Sequence, residues 1–269
     1  MKSKTTLYTL LLILFIICPA IFSEPTPQLD NYRCIKADGH IIWFNKEFMA
    51  KEPHLLNRVI AGVIQDLKEL DEIMPAAARE AIKPTQIWLE LETEPFGTVS
   101  GKGAVYHPSA KWLIEHGKMP EMERGVQICS ASNYLQDRKD KSGMTVLHEM
   151  AHAYYHLLGV DRDNVKVAYE VAKRKGSYEQ VGYMGSENTT GELYRAYAIT
   201  NAHEYFAELS EAYFGCNDYF PYNRQQLLEH DPLGYSVIDK IWHLPADYIR
   251  SQQQGDTESE EAFQSSVDK

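Results

Sequence analysis

The sequence predicts an α+β domain, a small mixed sheet laid over two helices of the second half, and three observations predict it. Strand-like stretches are short and fall in the first half of the chain, at 34–45, 86–91, 104–107 and 125–130. A long stretch with apolar residues at helical spacing separates the first two. The second half carries further helical patterns, and two of them, at 146–158 and 201–214, combine apolar residues with His and Glu at helical spacing.

Taken in order, the chain opens on a secretory leader, residues 1–23. Lys2 and Lys4 form a basic start, 7–17 are largely apolar, and the small residues Ala20 and Ser23 suit a cleavage point. The apolar run is short for a membrane span, and an uncleaved anchor is the alternative. Bulky residues before Cys18 argue against lipid attachment there. Export predicts a secreted, extracellular protein with no stable membrane partner, whose domain occupies 24–250. Residues 251–269 are polar and acidic and are expected to be disordered.

The whole sequence has 27 Lys and Arg against 38 Asp and Glu, a formal net charge of −11. Losing Lys2 and Lys4 makes it more negative, which weighs against nucleic acid or an anionic membrane as partner. Cys34, Cys129 and Cys216 would remain after cleavage. Secretion permits one disulfide among them, and their separation, with no CxxC, argues against a cysteine zinc site. Asn188-Thr189-Thr190 is a glycosylation sequon.

Pro25 and Pro27 mark a lead-in. Asp38-Gly39 is a strong turn signal and makes 34–45 a hairpin. Leu55, Val59, Val63, Leu67, Leu70 and Ile73 give 55–74 one apolar helical face. Pro75 starts a short Ala-rich helical turn that Pro84 ends. Gly97, Gly101 and Gly103 mark a loop, and the strand at 104–107 is expected at a sheet edge, where it could pair with an extended peptide or simply close a hairpin. A short helix at 111–116 carries Trp112. Gly143 breaks the chain ahead of 146–158. A helix is expected at 161–175, ended by Gly176, with a loop at 177–192 and C-terminal helices at 221–229 and 235–242.

The chemistry concentrates in His148-Glu149-Met150-Ala151-His152. On a helix, residues four apart stack on one face, so His148 and His152 can share a metal ion. Glu149 stands one step round, free to take a proton from a metal-activated water. The alternative is a core helix whose histidines are merely hydrogen-bonded. His156 extends the row, but three histidines on successive turns span about 12 Å of axis, too far for one ion with bonds of about 2 Å. His156 is therefore expected to support or pack rather than to ligate.

A catalytic zinc usually has three protein ligands and a water, and the third is often Glu. Glu204, Glu208 and Glu211 fall on one face of a helix that Thr200 or Asn201 can cap. Three carboxylates among aromatic residues are costly without a cation or hydrogen bonds, although a solvated acidic face is the plainer alternative.

His148-Glu149-x-x-His152 followed by Tyr197 and, seven residues on, Glu204-Tyr205-Phe206-Ala207-Glu208 resembles the anthrax lethal factor-like zinc metallopeptidases, which are glutamate-liganded zincins. The resemblance covers 144–214. Tyr106-His107-Pro108-Ser109 and Asn217-Asp218-Tyr219-Phe220-Pro221 also look like segments of secreted peptidases of this type. It implies a zincin-like metallopeptidase domain with one Zn2+ per chain, held by His148, His152 and Glu204. It further implies Glu149 as the base, Tyr197 as hydrogen-bond donor to the transition state, and Glu208 behind a ligand histidine. The expected activity is zinc-dependent endopeptidase action on a peptide or protein substrate. Two alternatives are a secreted zinc-containing binding protein without activity and a zinc hydrolase of a non-peptide amide. Tyr194 and His203 are alternative donors.

Overall fold

A computed structural model of the chain describes residues 28–93, 103–140, 143–184 and 191–252. The leader at 1–23, Cys18, Gly97, Gly101, Asn188 and nearly all of the acidic tail lie outside the described residues.

The fold is mixed α/β. Its first unit is the expected hairpin, β1 (Tyr32–Ala37) and β2 (His40–Asn45), with Ala37 opposite His40. Asp38 and Gly39 both have positive φ, 48° and 88°, as a two-residue turn between twisted strands requires. β3 (Ile87–Leu89) runs parallel to β2, β5 (Val126–Ile128) runs parallel to β3, and β4 (Ala104–Tyr106) closes the sheet antiparallel to β5. The order is β1-β2-β3-β5-β4, which puts β4 at one edge as expected.

Alternation along the strands sorts the two faces. Ile42, Phe44, Ile87, Leu89, Val126 and Ile128 join the main core. Tyr32, Trp43 and Trp88 point the other way, onto Leu113, Met119 and Met122. Trp43 and Trp88 pair in register and stack with centroids 5.0 Å apart.

Helices cover the main-core face. α1 (Lys46–Lys51) starts on the Asn45 cap, and α2 (Pro53–Ile73) buries Leu56, Val59, Val63, Leu67 and Leu70, the face its spacing predicts. α3 (Ala76–Ile82) is the Ala-rich turn, whereas α4 (Ala110–Glu115), the short helix carrying Trp112, buries Leu113 on the opposite face. α5 (Ala131–Asp140) was not anticipated; it packs on α2, where Gly62 leaves room for the Tyr134 ring and Asp66 accepts from the Tyr134 hydroxyl at 2.5 Å.

Among the described residues, the second half is mainly helical, with one small ribbon. α6 (Thr145–His156) lies against β4 and α8 (Ala202–Phe214). α7 (Arg162–Lys175) ends at Gly176 with φ 67°. The stretch expected as a loop after α7 contains β6 (Val181–Gly182), paired with β7 (Leu193–Tyr194). α9 (Arg224–His230) and α10 (Pro232–Trp242) follow. α9 begins later than expected because the Asn223 side chain caps it by accepting from Gln226 N–H. Asp231 then ties the C-terminal helices to the core. It caps α10 through Gly234 N–H and accepts from the hydroxyls of Tyr178 and Tyr205.

None of Cys34, Cys129 and Cys216 is joined in a disulfide. Cys34 lies on β1 and Cys129 just beyond β5, with β2 and β3 between the two strands. At about 4.8 Å per strand they stand beyond the roughly 7 Å limit for a disulfide. Among the described residues no helix is long and apolar enough to cross a membrane.

Candidate metal centre

The centre is built where α6 crosses α8. α6 forms because Val146, Leu147, Met150, Ala151, Ala153, Tyr154 and Tyr155 bury almost its whole circumference. His148 is buried with them at 2% exposure, and His152 opens towards solvent. Their rings lie 4.9 Å apart, edge to face, as positions four apart on a helix dictate.

α8 starts at Asn201, whose side chain accepts from the backbone N–H groups of His203 and Glu204 at 2.8 and 3.0 Å. Glu204 therefore sits in a capped first turn, where the helix dipole favours an anion. One oxygen, Oε2, stands 3.1 Å from His148 Nε2 and 3.3 Å from His152 Nε2. Two donors bound at about 2.0–2.2 Å on a tetrahedral ion stand roughly 3.3–3.5 Å apart, so Glu204 Oε2 stands close to one-site spacing from each imidazole nitrogen, and all three residues offer donor atoms within 4.8 Å of one another. Burial alone would raise the Glu204 carboxyl. Hydrogen bonds to His148 and His152, with the charge on both rings, outweigh it and hold the group well below the usual carboxylate range. A fixed anion beside two imidazoles fits a divalent cation of the zinc type.

The remaining residues fall around these three. Glu149 is 4% exposed, on the flank of α6, and its charge reaches Cys129 at the end of β5. Burial first, then Glu149 and Glu90, push the Cys129 thiol up to about 12, so it stays protonated. Tyr197 begins a 3-10 turn, Tyr197–Ile199, immediately before the α8 cap. Its ring centroid is 6.2 Å from that of His148. Of the alternative donors, Tyr194 turns its hydroxyl to Glu192 at 3.3 Å and its ring edge to Tyr183. His203 lies against Tyr155, and burial, followed by the charge of His152, lowers its pKa.

Glu208 and Glu211 both lie behind His148. Glu208 is fully buried, with Oε1 3.6 Å from His148 Nδ1. Glu211 is nearer, accepting from His148 Nδ1 at 2.7 Å, and it is the residue whose part the sequence did not single out. Its signal was its place seven residues after Glu204, on the same helix face. His156 ends α6 against Tyr106, centroids 6.1 Å apart, and its carbonyl accepts from Arg162. It is a packing residue, one to two turns beyond the converging donors. His107, in the segment after β4, is buried and bonded to Gln127 at 3.0 Å, on the sheet face away from α6.

Comparison of the chain with protein-family models, with curated proteins and with solved structures found no significant match.

Proposed function

We propose that this chain is a secreted zinc-dependent endopeptidase of zincin-like architecture, with His148, His152 and Glu204 as its metal ligands. One observation carries the reading: His148 and His152 of α6 and Glu204 of α8 bring donor atoms within 4.8 Å of one another, with a buried carboxylate, Glu149, on the adjoining helix flank. A zinc ion held there would supply Lewis-acid polarisation of a water and of a substrate carbonyl.

The chain's own residues do the rest. Glu149 accepts the proton of the attacking water and returns it to the leaving amine. Tyr197, beside His148, donates its hydroxyl hydrogen to the carbonyl oxygen as negative charge develops there. A phenol suits this because it stays protonated at neutral pH. β4, at the sheet edge against α6, offers its outer backbone groups to an extended peptide, which would hold the scissile bond over the site.

The deciding experiment pairs metal analysis with digestion of a peptide library. The wild-type protein should carry about one zinc per chain and cleave peptides in a chelator-sensitive way. Glu149→Gln should keep the zinc and lose turnover by about 10²–10⁴. Undiminished cleavage by Glu149→Gln would remove Glu149 from the mechanism. Zinc binding without cleavage by either protein would favour a binding protein, and wild-type protein that takes up no zinc would end the metal reading.

A further inference from the structure

We propose that Glu211 is the positioning residue of this centre: one carboxylate fixes both the ring of His148 and the first turn of the helix that carries it. The proposal rests on the metal reading above for its purpose, and on geometry for its content.

α6 begins without a side-chain cap of its own. Its N-cap is Met144, whose side chain makes no capping bond. The open donor at that end, Met144 N–H, is taken by Glu211 Oε2, reaching across from α8. The other oxygen, Oε1, takes His148 Nδ1 at 2.7 Å. His148 N–H in turn donates to Met144 C=O at 2.9 Å, so the ligand lies one turn from the helix start. Glu211 thus holds both ends of that turn. Without it, fraying of the turn would carry the His148 ring away from Glu204 and His152.

The same contact sets the tautomer. A carboxylate acceptor at Nδ1 keeps a ring hydrogen there, so that Nε2, beside Glu204 Oε2 and His152, is the nitrogen left to give a lone pair to a bound ion. Glu208, at 3.6 Å from Nδ1, is beyond hydrogen-bond range and makes no such claim on the ring.

Two glycines make room for the arrangement. Gly143 has φ 84°, and a Cβ there would lie 2.7 Å from Glu211 Oε2, so any other residue would displace the carboxylate. Gly215, just past α8, would collide with the Met144 thioether if it carried a side chain. The backbone on both sides is shaped to admit the Glu211–Met144–His148 contact.

Glu211→Gln is the discriminating variant. An amide has one acceptor oxygen, so it can satisfy His148 or Met144 but not both. Zinc affinity, measured by chelator competition at a temperature where both proteins are folded by circular dichroism, should fall by about 10–100-fold for Glu211→Gln and by less than threefold for Glu208→Gln. In metal-free wild-type protein, long-range ¹H–¹⁵N NMR should find a hydrogen on His148 Nδ1, whether or not Nε2 carries one as well, the signal being assigned by its loss in His148→Asn. A ring with no hydrogen on Nδ1, or Glu208→Gln weakening zinc more than Glu211→Gln, overturns the proposal. Wild-type protein that binds no zinc but shows the Nδ1–H tautomer would reject the metal reading while leaving the Glu211 contact established.

Discussion

Tyr197 is the site residue most exposed to test, because one atom carries its proposed role. Tyr197→Phe keeps the ring that lies 6.2 Å from His148 and deletes only the hydroxyl. Steady-state kinetics should show kcat reduced by about 10²–10³ with KM little changed, and zinc content and melting temperature should hold. Lost stability with full activity would assign Tyr197 to packing and hand the donor part to His203, which also lies close to His152. At this scale the sequence was legible where chemistry follows from spacing along one helix. His148 and His152 share a face because they are four apart. Glu204, Glu208 and Glu211 share a face too, and nothing in their spacing ranks them. Which one meets Nε2 and which meets Nδ1 depends on how far α8 slides along α6, a fact of helix docking that a single sequence does not contain.

At the scale of the element, the cap of α8 joins stability to the site. Asn201 holds the backbone of His203 and Glu204, so the turn that presents the carboxylate depends on it. Asn201→Ala should cost about 1 kcal/mol in a urea melt and should also weaken zinc binding, since the ligand sits in the frayed turn. A stability loss with zinc affinity unchanged would mean that the turn survives without its cap. Elements with strong local signals were legible: the Asp38-Gly39 hairpin, the apolar face of α2, and the Gly176 stop of α7. α5 was not, because its sequence is polar and it buries only Ala131 and Tyr134. It is held by tertiary contacts, with Asp66 of α2 receiving Tyr134 and Arg138. β6 and β7 are two residues each, too short for any period to show.

For the whole molecule, the sheet face opposite the metal centre sets a dependence on pH. His107 is 1% exposed, and burial, opposed in part by the bond to Gln127, lowers its pKa to about 4 from an ordinary 6.5. The folded state thus resists protonation more than the unfolded one. The contribution is complete above about 6.5 and is lost progressively as pH falls towards 4, an effect of about 3 kcal/mol over that window. His107→Gln, which can still bond Gln127, should flatten the fall in unfolding free energy between pH 7 and pH 4. An unchanged slope would show that His107 does not govern it.

The crossing of α6 and α8 has a consequence for the chain between them. His148 and Glu204 are 56 residues apart, with all of α7 and the β6–β7 ribbon in the interval. An ion gripping both would act as a cross-link, closing that interval into a loop even in the unfolded chain if the grip persisted. In chain-entropy terms a closure of this length is worth about 4 kcal/mol, comparable to a disulfide. No disulfide joins the three described cysteines. An ion so held would then staple the second half of the molecule, and stripping it would loosen α7 and the ribbon together with the groups around the site.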